Sequence, residues 1–427
     1  MKNIVIIYLV FLSNLSFAAV IEVDGITCDL RDAISAAKTN AEVNGCKAGE
    51  PGEDVLNLSP NTTFSITQND PQATSFGLKV DFDNIVIEGN GSTIERAVNA
   101  NEFGLLLVDN ATVRINNLTI RNGNNPTNFG GGIAAIGSSA NLVLNHVNVV
   151  DNVGGGVFIV NTSSVVGRVL HEINNSRIAN NSEAPFDEFG NGLLGAGLNI
   201  ANSNVLVEKT TIDNNQTDSI GGGVRLIQSE FLMNNSTVSG NASGGSGGGV
   251  AIVGGNNLVK IFGSTISKNT SSEIGGGINF NASGDLTANP NNFFRIYGSL
   301  ISGNTATVSA NEINGPFDQA VLMNGYNIVG KDGINGSDNI VFGFSDLTPS
   351  ESLEHILLPL NGETDFKKVH HLLENSPAID FVPGACVDDY DQIGNSRPLD
   401  GDNDNVFVCD AGSIEYVSDL IFQYGFE

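Results

Sequence analysis

The chain has 427 residues and carries 47 Asp and Glu against 19 Lys and Arg, a formal net charge of −28 with no basic cluster. A field of that sign repels nucleic acid, anionic lipid and polyuronate chains, and it draws in cations. Hydrophobic residues make up 40%, 51 residues are Gly and none is Trp, which excludes a disordered chain and marks a Gly content well above the ordinary ~7%.

The first residues read as a secretory leader. Lys2 supplies a short basic flank, Ile4 to Leu12 an apolar core, and Ser16-Phe17-Ala18 a small-residue cleavage pattern. Residues 1–18 are therefore expected to be a signal peptide cut after Ala18. No other stretch approaches the roughly 18 to 20 apolar residues of a transmembrane helix, and no Cys stands at the cleavage point to carry a lipid anchor.

Residues 19–50 are expected to form a cap. In "CDLRDAISAAKTNAEVNGC" (28 to 46), Leu30, Ala33, Ile34 and Ala37 fall at i, i+3, i+4 and i+7, which predicts an amphipathic helix with Asp29 as its N-cap. The four cysteines allow three pairings. Nearness in sequence favours Cys28 with Cys46 and Cys386 with Cys409, each pair stapling one end of the molecule, and export permits both.

From 51 to 345 the chain repeats itself. Triplets recur at Gly130-Gly131-Gly132, Gly154-Gly155-Gly156, Gly195-Ala196-Gly197, Gly221-Gly222-Gly223, Gly247-Gly248-Gly249 and Gly275-Gly276-Gly277. A second signature precedes most of them, as in Thr211-Ile212-Asp213-Asn214, Thr237-Val238-Ser239-Gly240-Asn241 and Thr265-Ile266-Ser267-Lys268-Asn269. Intervals cluster at roughly 24 to 35 residues, in the range of solenoids. Short alternating runs such as Leu142 to Val147 and Val259 to Phe262 predict half-buried strands, and long helical periodicity is missing. Three strands per coil, stacked about 4.8 Å apart, make an all-β solenoid: a parallel β-helix of about ten coils and on the order of 50 Å. Gly and Asn suit its corners because both adopt the left-handed backbone, and Asn on successive coils can stack into a hydrogen-bonded ladder. A phosphate-binding loop would need a helix after the glycines and a Gly-Lys followed by Ser or Thr. The one Gly-Lys, Gly330-Lys331, is followed by Asp332, so no nucleotide is expected.

Near the C-terminus, Asp400-Gly401-Asp402-Asn403-Asp404 sets carboxylates at every second position, a spacing that lets three side chains turn onto one hard cation such as Ca2+. It is not an EF-hand, since its sixth position is Asn405 and its twelfth Ala411. The competing reading is a solvated acidic turn beside a disulfide. Mutual repulsion of the carboxylates tips the balance to structural Ca2+ on Asp400, Asp402 and Asp404, with Asp410 or a backbone carbonyl completing the shell. Asp388, Asp389 and Asp391 form a second, sparser acidic group. His146, His171, His355, His370 and His371 show no metal-binding spacing, and Arg114, Arg177, Arg225 and Arg295 are scattered over different coils.

"CDLRDAISAA" resembles the Cys-Ser-Leu-Arg-Glu-Ala motif at the start of many secreted bacterial right-handed parallel β-helix proteins of the pectin-lyase-like superfamily. The repeats resemble the Ser-Thr-Ile-Ser-Gly-Asn and Gly-Gly-Gly-Ile units of polymorphic outer membrane proteins. The last third resembles a choice-of-anchor Q region through Gly325 to Gly330, "HLLENSPAID" (371 to 380) and "DQIGNSRPLDGDNDNVFVCDAGSIE" (391 to 415). It departs from that pattern at Ile393, where Arg is common, and at Phe381. The resemblance implies a right-handed coil, repeats over 51–345, a disulfide-stapled C-terminal region over 346–415 and a tail over 416–427. The chain is expected to depart from autotransporter relatives in having no barrel, since the dozen residues after Glu415 are too few for at least eight strands of about ten residues. The tail, "DLIFQYGFE" (419 to 427), resembles the ends of some secreted proteobacterial proteins and reads either as a recognition tag or as a terminal strand.

Relatives that cleave polysaccharides place paired carboxylates, or Ca2+ beside a basic residue, on an outward strand face. Asp151 and Asp213 read as one corner two coils apart, about 9.6 Å, just beyond the roughly 6.5–9.5 Å of inverting glycosidases. Ser239, Ser267 and Ser302 at equivalent corners favour ordinary turn residues instead, and no catalytic residue is assigned. The expectation is a secreted or cell-surface, outer-membrane-associated protein that binds an extracellular glycan or surface ligand in the manner of an adhesin. The rival is a polysaccharide lyase or glycoside hydrolase. Oligomeric state is left open.

Overall fold

The computed structural model describes residues 19–417, apart from 74, 83, 126–128, 163–168, 184–194, 282–292, 317–320, 324 and 365. The expected signal peptide and all but the first two residues of the tail lie outside the described residues.

The repeats wind into a parallel β-solenoid. Among the described residues its strands fall into a 17-stranded sheet, a 10-stranded sheet and a 4-stranded sheet, with parallel register from coil to coil. Ten stacked strands are separated by nine steps, so the rod makes about nine turns over about 43 Å, slightly fewer than expected. In the early coils the large sheet has long strands such as Thr112–Arg121 and Asn141–Val150, and from Leu170 on it contributes two strands per coil that meet at a bend, such as Asn204–Glu208 and Thr211–Asp213 around Lys209 at φ 48°. Alternation works as the pleat requires: in Asn204–Glu208 only Val205 and Val207 are buried, and they join a core of Ile, Val and Leu running the length of the rod.

A buried amide ladder explains the repeat signature. Asn152, Asn181, Asn215, Asn241, Asn269 and Asn304 stack one per coil. From Asn181 on, each side-chain oxygen accepts from the backbone N–H and the amide of the Asn one coil earlier, at 3.0 Å and 2.9 Å for Asn241 to Asn269, and the first, Asn152, accepts from Gly123 N at 2.8 Å. Each Nδ2 also donates to a carbonyl of a neighbouring coil, as Asn241 does to Ile212 at 2.9 Å. The left-handed corner is the residue before the ladder: Asp151, Asn180, Asn214, Gly240, Lys268 and Gly303 have φ between 54° and 78°. The two roles expected of one Asn are thus split between neighbours, with Asn180 and Asn214 turning the chain and Asn181 and Asn215 stacking.

The glycine triplets belong to the same device. Gly221 turns the chain at φ 73°. Gly223 has an ordinary φ, but a Cβ there would lie 3.0 Å from Asn241 Nδ2 and 2.7 Å from the Gly249 carbonyl. Each triplet's last Gly leaves room for the ladder Asn of the following coil. In the final triplet position Glu312 replaces Gly, and its carboxylate occupies that room and ends the ladder, accepting from Asn304 Nδ2 at 2.6 Å and Gly303 N at 2.9 Å.

The N-terminal end is capped as expected. A helix spans Leu30–Thr39, Asp29 accepts from Asp32 N at 2.8 Å, and Leu30, Ala33, Ile34, Ala36 and Ala37 are buried against the first coils. Cys28 and Cys46 are bonded, with Cα atoms 4.7 Å apart. The second disulfide, Cys386–Cys409 with Cα atoms 5.8 Å apart, staples a region that lies on the flank of the rod. That region docks on one threonine row: Thr211 bonds Lys368 O (2.8 Å), Thr237 bonds Gln392 Oε1 (2.6 Å) and Thr265 Oγ1 accepts from Ser413 N (3.0 Å).

Candidate functional site

Asp400 and Asp402 converge, and their third partner is Asp380. One carboxylate oxygen from each of the three lies within 4.8 Å of the others. The loop is tied by its own side chains: Asp404 N and Asn405 N donate to Asp400 at 3.0 Å each, while Asn403 and Asn405 take left-handed backbone at φ 63° and 65°. Asp404 is turned away from the cluster, its Oδ1 accepting from Val406 N at 2.7 Å. Asp380 accepts from Asp402 N at 2.9 Å through Oδ2, and its other oxygen is inaccessible to solvent and has no hydrogen-bond partner. Burial, reinforced by the charges of Asp402 and Asp400, holds the Asp380 carboxyl above the usual carboxylate range. Three convergent carboxylates, one of which also carries an unsatisfied buried oxygen, suit a hard, oxygen-liganded cation. A groove of about 330 Å3 opens beside them, bordered by Glu374, Asn375 and Tyr416.

Asp410 does not join the cluster. It is buried, bonds the backbone N–H groups of Asp380 and Tyr416, and is pushed up by burial and by the neighbouring Glu415. Glu415 is paired with Arg397 at 2.9 Å, both side chains at most 1% exposed. Of the second acidic group, Asp391 accepts the amides of Ile393, Gly394, Asn395 and Glu415, and Asp388 pairs with Lys209 at 2.6 Å.

The proposed corner pair does not form. Asp213 is in register with Ala179 and Val150, whereas Asp151 follows Val150 at the left-handed turn. Asp213 is fully buried and held by Arg177 through two 2.7 Å bonds, and Asp151 is exposed. The histidines are structural where buried. His370 bridges Ser239 and the Leu358 carbonyl at 2.8 and 2.7 Å, His171 Nδ1 accepts from Leu142 N at 3.1 Å, and burial pushes both down to about 4.

The sequence reading missed a polar groove on the 4-stranded sheet. Its strands are Gln216–Thr217, Ala242–Ser243, Thr270–Ser271 and Thr305–Ala306, each directly after a ladder Asn. Exposed Gln216, Asp218, Thr270, Ser272, Thr305 and Thr307 line a groove of about 360 Å3 across four rungs. Glu183 stands at one end, accepting from Asp218 N at 2.7 Å, and burial holds its carboxyl above the usual range. The small hydroxyl residues after Asn215, Asn241, Asn269 and Asn304 were the available signal. No protein-family model matches this chain, and neither a curated protein nor a solved structure does.

Proposed function

We propose that the protein is a secreted or cell-surface binding protein that holds an extracellular glycan along the rod, without cleaving it. The observation that carries this reading is the groove on the 4-stranded sheet, whose rungs are about 4.8 Å apart and where Gln216, Thr270, Ser272, Thr305 and Thr307 expose amide and hydroxyl groups on three of the four rungs, the rung of Ala242 and Gly244 lying between them. A polymer of repeating sugars meets such a row with many weak contacts that add up through effective concentration. The leader-like start and the resemblance to pectin-lyase-like and choice-of-anchor Q proteins support an exported, surface-associated setting. Asp380, Asp400 and Asp402 would hold a structural Ca2+, fixing the loop between Leu399 and Val408, which meet in an antiparallel bridge.

The rival lyase or hydrolase reading has Glu183 to draw on, a carboxyl raised by burial at the groove's end. The test is a panel of neutral and acidic polysaccharides, assayed for both retention and new reducing or unsaturated ends. Retention without new ends, lost in the Thr270→Lys, Thr305→Lys double variant at unchanged melting temperature, is expected. Turnover abolished by Glu183→Gln would overturn the binding reading.

A further inference from the structure

The first rung of the rod leaves one strand edge open. Among the described residues the strand Thr63–Ile66 pairs only with Asn84–Arg96, on one side. Thr93 N and Ala97 N donate to the carbonyls of Thr62 and Ile66 at 2.9 and 2.8 Å, so even-numbered groups face the ladder and the N–H and C=O groups of Thr63 and Ser65 face away. No described hydrogen bond uses the backbone of Thr63 or Ser65 on that side. The other first-rung edges are covered: the Val20–Val23 strand lies under the capping helix, and Arg31 Nη2 donates to the Gly77 carbonyl at 2.9 Å.

Exposed edges are ordinarily guarded by charge, proline or a bulge. Residues 62 to 68, "TTFSITQ", carry none of these in a chain of net charge −28. In front of the edge runs a groove of about 400 Å3 with Leu30, Phe64 and Ile66 among its walls and Ile26 on its rim, 89% exposed. The groove is also bordered by Asp24, Asp29 and Arg31, and a free backbone edge beside a groove of this mixed lining is an arrangement that takes up an added strand through its main-chain groups.

The chain carries a segment with the matching pattern. After Val417, Leu420, Phe422, Tyr424 and Phe426 alternate with Ile421, Gln423 and Gly425, putting four apolar side chains on one face of an extended strand. The same chain cannot seat the whole segment there. Ser413 is bonded to Thr265 and Thr237, which lie seven and six rungs from Thr63. Six rungs are about 29 Å, whereas the seven residues from Ser413 to Leu420 span at most about 25 Å. Within one molecule only residues from about 422 on would arrive, and only with the chain fully extended from Ser413, whereas a second copy can present the complete segment.

We propose that residues 420–426 of one copy add as a strand to the Thr63–Ile66 edge of a second copy. The contact is heterologous, so it propagates into a linear string of rods instead of closing on a dimer. Because each rod carries −28, association strengthens as salt screens the repulsion.

Sedimentation of the full-length chain over a range of concentration and salt is the test. Mass that climbs with both is expected, and a synthetic peptide of residues 418–427 should cap the strings and reduce the mass. Phe422→Glu with Tyr424→Glu removes the growth. Ser65→Pro, which costs no ladder bond because that N–H faces away, weakens peptide binding about tenfold with the melting temperature unchanged. A full-length chain that stays monomeric throughout and binds no peptide overturns the proposal. So does association, or peptide binding, that the tail and Ser65 variants leave unaltered.

Discussion

The rod and the region on its flank bury polar groups in opposite ways. Inside the rod most buried polar side chains are neutral and repeated, an Asn stack from Asn152 to Asn304 and a hydroxyl row through Ser176, Thr210, Ser236, Ser264 and Ser299, each passing a hydrogen bond to the next coil, with Asp54, Glu312 and the Arg177–Asp213 pair as isolated charged exceptions. The flank region has a charged centre used once: Arg397 against Glu415, with Asp391 and Asp410 clamping the surrounding loops. A repeated neutral ladder carries no desolvated charge and tolerates any number of coils. A buried ion pair carries a large desolvation cost, and its removal from one side only is severe. The rod therefore sets a regular surface, and the flank region closes a single place on it.

The contrast is open to attack at its strongest point first. Arg397→Leu leaves Glu415 buried without its partner and is expected to cost about 3–5 kcal/mol, read by denaturant unfolding and by lost amide protection over 387–415. An unchanged midpoint would mean that the flank region does not depend on its charged centre.

Next comes Glu312, the one carboxylate of the ladder. Burial pushes it up to about 7 from an ordinary 4.5. The folded state then holds a proton that the unfolded state has lost between these values, so this group's contribution falls as pH rises from about 4.5 through 7. Against Glu312→Gln, the native chain should lose about 3 kcal/mol of stability between pH 4.5 and 8. Parallel pH profiles for the two chains would refute it.

For the acidic loop, Ca2+ at a hundred times its dissociation constant would stabilise by about 2.7 kcal/mol. The melting midpoint should fall on chelation and cease to respond in Asp402→Ala. No change with chelator would return the loop to a solvated acidic turn.

Much of the rod was readable in the sequence because it repeats. Gly221 to Gly223 and Thr237 to Asn241 announce their coil, and helical spacing after Asp29 announces the cap. Register was harder: the one-residue offset between Asp151 and Asp213 turned an apparent corner pair into a turn residue and a buried partner of Arg177. A slip of one residue reverses the face of a strand, and insertions between coils hide it. The flank region was the least readable. Asp380 is 20 residues before Asp400, and nothing local to "DGDND" points to it. The groove residues were overlooked because pairs such as Thr270-Ser271 look like ordinary turn residues until they are stacked.

What keeps the groove in register is the central claim: each triplet's last Gly and the next coil's Asn are a single packing unit. A double-mutant cycle on Gly223→Ala and Asn241→Ala tests it, since the added Cβ would press on Asn241 Nδ2 at 3.0 Å. The double variant should be more stable than the sum of the single losses predicts, by about 1 kcal/mol or more. Losses that add to within about 0.3 kcal/mol would contradict the account, because the two residues would then be acting independently.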